Sequence, residues 1–370
     1  MAKKYDVAAY IWPAYTGKEI RSKIFWPDGI GEWQTVKKHH KKPQHNYEWK
    51  RTPLWGYVDE ADPKVMEMQI NEALKHGVNV FIYDWYWYDN RPFLENCLND
   101  GFLKAKNSLD MKFYIMWANH DAGYTWDYRI SSGDDVAIWQ GSVTEEQFKI
   151  IGKRWIEQYF TKENYYKIDN KPVISIYDLG NFVNGLGGID KAKENMDWLQ
   201  NEAKKAGLDG VHFQLVKWGP QPLNLSGVDG GAMPLKPEVV DELGFDSLTH
   251  YQAIHFTDLT VDYEQIIPIM EKEWENTVKD FNIPYYPHVS IGWDNNLRFE
   301  AYKPNMFLDN TPSKFEKALQ KAKDFSDKHC DLPLITINSW NEWTENSYLE
   351  PDDLYGYGYL EAVKKVFKEE

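Results

Sequence analysis

The most constraining feature of this sequence is an alternation between short apolar runs and amphipathic helical patterns along the whole chain. Continuous apolar runs are typical of parallel strands that are buried on both faces. Shared among eight strand–helix units, the 370 residues allow about 46 residues per unit, which leaves room for long loops. The alternation predicts an α/β fold, a (β/α)8 TIM barrel with long βα loops, as one domain over residues 1–370. The eight strands are predicted to begin near Asp6, Val78, Lys112, Pro172, Val211, Asp246, Pro284 and Leu334.

Local signals for helix ends support this pattern. Asp62 followed by Pro63 is a typical helix start, and Gly77 is a typical stop for the same helix. Thr144 with Gln147 forms a capping-box pattern at the start of another helix. The competing fold is a doubly wound open sheet, which normally carries a glycine-rich phosphate turn after its first strand. The segment at 10–15 reads YIWPAY and is no such turn, so the barrel is favoured.

Charge and cysteine content exclude several classes of protein. The chain has 42 basic and 57 acidic residues, so its formal net charge is −15, and it has no basic surplus to neutralise a nucleic acid. Its two cysteines, Cys97 and Cys330, are far apart and form neither a disulfide framework nor a zinc pattern. No apolar run of about 18 residues predicts a membrane span. Met1–Lys4 lead directly into a strand without a signal-peptide pattern, which fits a cytoplasmic protein, or a periplasmic or extracellular one whose signal was removed.

Aromatic residues are unusually abundant and gather after the predicted strands. The chain has 17 Trp and 24 Tyr, and amphipathic rings suit the apolar face of a sugar. Catalytic residues of a barrel lie at the carboxyl ends of its strands, where this sequence alternates rings with acids and amides. These features predict a carbohydrate cleft. The candidate substrate contacts are Trp12, Glu32, Asp84, Trp85, Trp117, Asn119, His120, Tyr251, Trp293 and Asn341.

The strongest single signal is the pair Glu342 and Glu345, which directly follows the last strand. Glycosidic cleavage needs one carboxylic acid to protonate the leaving oxygen and one carboxylate to assist the oxocarbenium-like transition state. Two neighbouring carboxyl groups in an aromatic pocket can have their pKa values driven apart. The competing interpretation is structural: Glu345 caps the following turn, and Glu342 pairs with a Lys or Arg. The flanking Trp340, Asn341 and Trp343 favour the catalytic interpretation.

The other candidates carry weaker signals. Asp84 orients a sugar hydroxyl or a catalytic group, or else bridges to a neighbouring strand end. His120 binds substrate or is structural, and the tryptophans Trp85 and Trp117 are sugar platforms or core. No HExxH or similar spacing supports a metal, and no glycine-rich phosphate loop or GxSxG motif is present, so no cofactor is expected.

Several segments, in order over nearly the whole chain, resemble glycoside hydrolase family 99-like proteins, often labelled WbsX-like. The most specific is the tail WNEWTENSYLEPDDLYGYGYLEA from Trp340 to Ala362. Shorter matching pieces are the segments GIGEW at 29–33, GY at 56–57 with DP at 62–63, FIYDWYW at 81–87 and WAN at 117–119.

The resemblance implies a (β/α)8 barrel that acts on glycans. In family 99 proper, the glutamate aligned with Glu342 acts on the neighbouring sugar 2-hydroxyl, which displaces the leaving group through a 1,2-anhydro intermediate. The glutamate aligned with Glu345 is the general acid and then the base, and the enzymes are endo-acting on α-mannosides with retention. This chain departs from the family pattern at Asn346, His120 and Asp84, where a Gly, an acidic residue and a His are usual.

We therefore predict a retaining glycoside hydrolase with Glu342 and Glu345 as its catalytic pair and an oligo- or polysaccharide, such as an α-mannoside-like glycan, as substrate. Two rivals remain. One is a glycosyltransferase of polysaccharide (O-antigen type) biosynthesis, although the chain has no Asp-x-Asp pair. The other is a non-catalytic glycan-binding protein, which would have no need for two adjacent carboxylates.

Overall fold

Eight parallel strands form the centre of the structure, a computed structural model that describes residues 4–38, 42, 44, 51–123, 126, 137–218, 222–224, 232–257 and 260–368. The strands lie close to their predicted positions, and the largest offset is at β7, which begins at His288 rather than near Pro284. Their bounds are β1 Asp6–Ile11, β2 Val80–Tyr88, β3 Lys112–Trp117, β4 Lys171–Ile176, β5 His212–Val216, β6 Ser247–Thr249, β7 His288–Ser290 and β8 Leu334–Asn338.

The strands close into a barrel. Strands β1 to β6 pair in parallel in chain order, and β7 pairs with β8. Strand β8 returns to β1, with Asp6 opposite Leu334. The last gap, between β6 and β7, is closed by a parallel bridge between Leu248 and Tyr285 and by a 2.8 Å hydrogen bond from the Leu248 amide to the Pro284 carbonyl. The predicted TIM barrel is confirmed.

Helices surround the barrel and are capped largely as the sequence predicts. Asp62 accepts a hydrogen bond from the Lys64 amide, and Gly77 ends the helix with a φ of 98°. Thr144 accepts from the Gln147 amide. Within the described residues, the α-helices are α1 Trp33–Lys38, α2 Pro63–His76, α3 Glu145–Trp155, α4 Leu179–Leu186, α5 Ile189–Lys205, α6 Pro237–Leu243, α7 Tyr263–Asp280, α8 Pro312–His329 and α9 Gly358–Phe367.

The second unit departs from the predicted strand–helix alternation. Between β2 and β3, the chain forms short helical turns at Cys97–Gly101, Phe102–Lys104 and Ser108–Asp110 instead of an α-helix. Close packing constrains this connection, because a Cβ on Gly101 would lie 2.1 Å from the carbonyl oxygen of Glu60.

Short strand pairs shape the loops above the barrel, where the carboxyl ends of the strands meet. They are Arg91–Phe93 against the end of β2, Ala122–Gly123 with Ala137–Trp139, Pro222–Asn224 with Ala232–Pro234, Val261–Asp262 with Phe307–Leu308, and Asn341–Glu342 with Ser347–Tyr348. Below the barrel, Lys167–Ile168 pairs with the start of β4. Cys97 and Cys330 form no disulfide bond in the described part of the chain. No helix in the described part of the chain is long and apolar enough to cross a membrane.

Candidate active site

Glu342 and Glu345 lie side by side above the end of β8. After Asn338, the chain forms the short strand Asn341–Glu342 and then a single 3-10 turn, Trp343–Glu345, and this compact path turns both side chains toward the barrel axis. Both residues are buried, with 3% and 7% of their surfaces exposed, yet both line an open cleft of about 500 Å³. The sequence spacing thus places two carboxyl groups at one cleft.

The cleft has an aromatic wall and several acids. Its tryptophan and tyrosine rings lie in or after six different strands, β1 to β6, so no single motif builds the wall. Together with Glu342 and Glu345, the described residues that line it are Trp12, Asp84, Tyr86, Met116, Ala118, His120, Asp121, Gly123, Trp126, Ala137, Tyr177, Asp178, Asn181, Trp218, Tyr251 and Arg298.

Arg298 joins the two glutamates. Its Nη1 donates to Glu345 Oε1 at 2.5 Å, and its Nη2 lies 3.3 Å from Glu342 Oε1. Its Nε donates to Glu32 Oε1 at 3.0 Å, and Glu32 also accepts from the Trp12 indole. The arginine is itself buried, so its charge acts in a medium of low dielectric constant. One guanidinium therefore orients three carboxyl groups.

A second link joins Glu342 to Asp84. The hydroxyl of Tyr251 lies 3.0 Å from Glu342 Oε2 and 3.0 Å from Asp84 Oδ2. A hydroxyl carries one proton and can donate to only one carboxylate at a time. Both contacts are therefore satisfied when one of the two carboxyl groups is protonated and donates to the Tyr251 oxygen. Asn338 Nδ2 adds a contact to Glu342 Oε2 at 3.4 Å.

Burial raises the pKa of all three acids, but their partners differ. The pKa of Glu345 lies well above its ordinary value because the group is buried and lies beside Glu342, while Arg298 opposes the shift. Burial also raises the pKa of Glu342, which Arg298 and hydrogen bonds from Tyr251 and Asn338 lower again. For Asp84, burial and the nearby Glu342 raise the pKa. The site thus favours a protonated Glu345 beside a more readily ionised Glu342.

Sequence comparison assigns the family. The family described as "Glycosyltransferase WbsX" matches residues 7–363. The chain belongs to this family. WxcX from Xanthomonas campestris pv. campestris, described as uncharacterized, is 25% identical to this WbsX-family chain over 350 residues. The match covers 92% of this chain and 47% of WxcX, so the chain spans about half the length of the curated relatives it matches.

Solved structures support the fold of this WbsX-family chain. A "glycoside hydrolase-like protein" aligns with a TM-score of 0.61 and 15% identity, over 99% of this chain and 95% of the other. The GH99 endo-α-mannosidase from Bacteroides thetaiotaomicron aligns with a TM-score of 0.58 and 15% identity, over 97% and 95%. The predicted resemblance to family 99-like, WbsX-like proteins is confirmed, and at this identity the structural likeness speaks for the fold alone.

Only some of the predicted substrate contacts line the cleft of this WbsX-family chain. The ones that do are Trp12, Asp84, His120 and Tyr251. Glu32 lies one layer deeper, fully buried against Arg298.

Two predicted tryptophan contacts need correction because side chains alternate across a strand. In β2, Asp84 and Tyr86 face the cleft, whereas Trp85 faces outward, donates to Glu95 Oε1 at 2.7 Å and packs on Trp155 of α3. Trp117 likewise packs against Trp155 and against Phe148 and Phe182 of the surrounding helices. Both indoles belong to the core.

Three other predicted contacts also lie outside the cleft lining. Asn119 ties a loop together: it accepts from the Asp178 amide at 2.8 Å and donates to the Asp178 carbonyl at 2.7 Å. Asn341 is buried and forms the same kind of paired hydrogen bonds with the Trp12 backbone: it accepts from the amide at 2.8 Å and donates to the carbonyl at 2.9 Å. Trp293 is a partly buried ring packed on the core. These residues shape the loops that carry the site.

Arg298 and three aromatic lining residues, Trp126, Tyr177 and Trp218, were missed by sequence reasoning. Trp126 lies nine residues past the end of β3, whereas Trp218 lies two residues past β5 and Tyr177 directly follows β4. The position of Tyr177 is itself a usable signal, because it is the first residue past a barrel strand. For Arg298, the only available signal is physical: two carboxyl groups buried together call for a nearby cation.

A second network of acidic residues anchors the segment around Glu342 to helix α2 and the loop before it. Gln69 of α2 donates through Nε2 to Glu60 at 3.3 Å and to Glu350 at 2.7 Å. Glu60 accepts from Asn341 Nδ2 at 2.9 Å, and Glu350 accepts from the Trp343 indole at 2.6 Å. The residues on both sides of Glu342 are therefore anchored to α2 and its preceding loop.

The stability of the fold is expected to fall with rising pH in part through Glu60. Burial raises the pKa of Glu60 from 4.5 to about 8, so the folded state holds its proton more tightly than the unfolded state. This stabilisation is fully present below the ordinary pKa and is lost as the pH rises toward about 8. In E60Q, whose amide does not ionise, we expect the difference in Tm between about pH 5 and about pH 8 to shrink by about 2 °C or more.

Thermal melts of the parent, E60Q and E157Q test this expectation. Glu157 is exposed, so E157Q controls for loss of one glutamate charge. If E60Q and the parent lose the same Tm over this pH range, the assignment to Glu60 is wrong.

Proposed function

We propose that this chain is a glycoside hydrolase in which Glu342 and Glu345 cleave a bound glycan. The observation that carries the proposal is the pair itself. Two carboxyl groups share one buried guanidinium, and both line an aromatic cleft above the barrel. Glu345 Oε2 is buried and accepts no hydrogen bond from a donor among the described residues. Such a pair meets the chemical need of glycosidic cleavage.

The environment of each carboxyl group supports a division of roles. Glu345 has a raised pKa and lines the cleft, as a general acid needs. Glu342 accepts hydrogen bonds from Arg298, Tyr251 and Asn338, and donors of this kind favour the ionised form. In this proposal, Glu345 donates a proton and Glu342 acts as a base.

The reaction proposed for this pair keeps the anomeric configuration. Glu345 transfers its proton to the glycosidic oxygen as the bond from C1 to that oxygen breaks. Glu342 takes the proton of the sugar 2-hydroxyl as O2 forms a bond to C1. Water then attacks C1 and gives a proton to Glu345, while the C1–O2 bond breaks and O2 recovers its proton from Glu342. Two displacements at C1 restore the original configuration.

The rest of the cleft suits a sugar chain. Trp12, Tyr86, Trp126 and Trp218 supply rings for sugar faces, and His120 supplies a polar edge. An α-mannoside is the first substrate to test because a structurally similar protein is an endo-α-mannosidase. The differences at Asp84, His120 and Asn346 make other sugars part of the same test.

The family description favours a second candidate, a glycosyltransferase that uses a sugar nucleotide. A diphosphate donor would bring negative charge to a cleft whose described lining already holds Asp84, Glu342 and Glu345. Arg298, the arginine of that lining, is already bonded to carboxyl groups. Like charges held together in a partly buried site cost free energy, so the hydrolase is the better account.

A screen of purified protein against plant, host and microbial glycans tests the proposed activity. We expect new reducing ends from at least one glycan without added nucleotide sugar, and proton NMR of the first product should show retention. A product that forms only when a nucleotide sugar and an acceptor are both present would identify a transferase. Binding without cleavage across the whole panel would identify a glycan-binding protein.

A further inference from the structure

The described lining of the cleft carries more acidic than basic side chains. Its carboxyl groups belong to Asp84, Asp121, Asp178, Glu342 and Glu345, whereas its basic side chains are Arg298 and His120. Field lines are focused in a cleft with walls of low dielectric constant, so this imbalance acts strongly on any charged ligand. A ligand that carries negative charge is disfavoured here.

Arg298 does not supply a free positive charge for an anionic ligand. Its Nε, Nη1 and Nη2 already bond to Glu32, Glu345 and Glu342, respectively. Only 8% of the residue surface is exposed. The guanidinium is therefore committed to the protein's own acids and is not available to hold a carboxylate, sulfate or phosphate on a sugar.

Asp84 has one oxygen without a partner. Its Oδ2 is 3.0 Å from the Tyr251 hydroxyl, but its Oδ1 is buried and accepts no hydrogen bond within the described structure. The residue is 4% exposed and lines the cleft beside Glu342. A buried acceptor without a donor is costly, so this oxygen fits a donor that a ligand brings.

We propose that Asp84 determines specificity by binding a free amino group, at a carbon other than C2, on the sugar held at the catalytic pair, and that sugars with carboxylate, sulfate or phosphate groups are rejected. This inference rests on the proposed function, in that the cleft must hold a sugar. A hydroxyl can also donate to Asp84 Oδ1, but an ammonium donates and in addition stabilises the ionised form of Asp84, which burial and the nearby Glu342 otherwise disfavour. Hydrogen bonds to charged groups are also stronger than neutral ones.

Matched monosaccharides test the proposal without knowledge of the natural glycan. For the gluco, manno and galacto series, the hexosamine (here the 6-amino-6-deoxy sugar, which keeps its 2-hydroxyl), the hexose and the hexuronate are titrated by NMR into the parent, D84N and D331N. Within at least one series, we expect the parent to bind the hexosamine about tenfold more tightly than the hexose, and the hexuronate not measurably. In D84N, the preference for the amine should fall to about twofold or less, because an amide removes the charge at similar shape.

D331N is the matched control, because Asp331 is exposed and lies just before β8, at the opposite end of the barrel from the cleft. It removes the same charge and should keep the parent's order of affinities. An unchanged preference for the hexosamine in D84N would overturn the role of Asp84. Tighter binding of hexuronates, or no measurable binding of any sugar to the parent, would overturn the proposal as a whole. If the order holds but no glycan is ever cleaved, the hydrolase proposal fails and the ligand preference stands.

Discussion

Replacement of Glu345 by glutamine is expected to lower the rate of glycan hydrolysis by about 10²–10⁴-fold, the usual contribution of a general acid. The amide keeps the shape of the side chain and still accepts from Arg298, but it has no proton to give to the leaving oxygen. Glycan binding should remain measurable, since the cleft rings are unchanged. The measurement is the release of reducing sugar from a glycan identified by the screen, together with binding of the same glycan by calorimetry.

The nature of the leaving group tests the assigned role of Glu345. A poor leaving group needs the proton most, so E345Q should lose far less activity on an aryl glycoside with an acidic phenol than on a natural glycan. E300Q is the matched control, because Glu300 is exposed and lies in the same loop as Arg298. Equal activity of E345Q and the parent on the natural glycan would exclude Glu345 as the acid.

E342Q is expected to cause a loss of similar size, about 10²–10⁴-fold, but one that does not depend on the leaving group. The reason is that Glu342 is proposed to take the proton of the 2-hydroxyl, so its loss slows attack at C1 whichever group departs. The measurement is kcat/KM on a series of aryl glycosides that share one sugar. If E342Q cleaves a substrate with a free 2-hydroxyl as fast as the parent, the neighbouring-group mechanism is wrong.

E342Q should also shift the pH dependence of the residual activity. The ionised Glu342 raises the pKa of Glu345, so its removal lowers that pKa. The general acid then loses its proton at a lower pH, and the alkaline side of the pH–rate profile moves toward acid. An alkaline limb that stays in place would contradict the assignment of Glu345 as the titrating acid.

The barrel could be predicted from the sequence because its signals are local. Apolar runs of strand length and helix caps such as Asp62 and Thr144 depend on only a few neighbouring residues. In the structure, both caps form at the predicted residues. The shift at β7 has a physical cause: Tyr285 bridges to β6 before the regular pairing of β7 with β8 begins. The short turns between β2 and β3 could not be read from the sequence, because they depend on the close approach of Gly101 to Glu60.

The cleft was only partly predictable because its contacts cross the barrel. The spacing of Glu342 and Glu345 placed two acids at one cleft, but Arg298 reaches them from the loop after β7, and no local pattern marks it. Strand β2 is buried along its whole length, so its apolar character does not reveal which of Asp84 and Trp85 faces inward. The register in which β2 pairs with its neighbouring strands determines which side chain faces inward, and this register cannot be read from a single sequence.

The anchoring of the Glu342 segment to α2 has a consequence for engineering. Glu60 and Gln69 belong to the first strand–helix unit, whereas Glu350, Asn341 and Trp343 belong to the last. Transplanting the carboxyl-terminal tail of a relative onto this barrel would therefore replace one partner of these hydrogen bonds and leave the other unchanged. A functional chimera has to exchange the two ends of the chain as a single module.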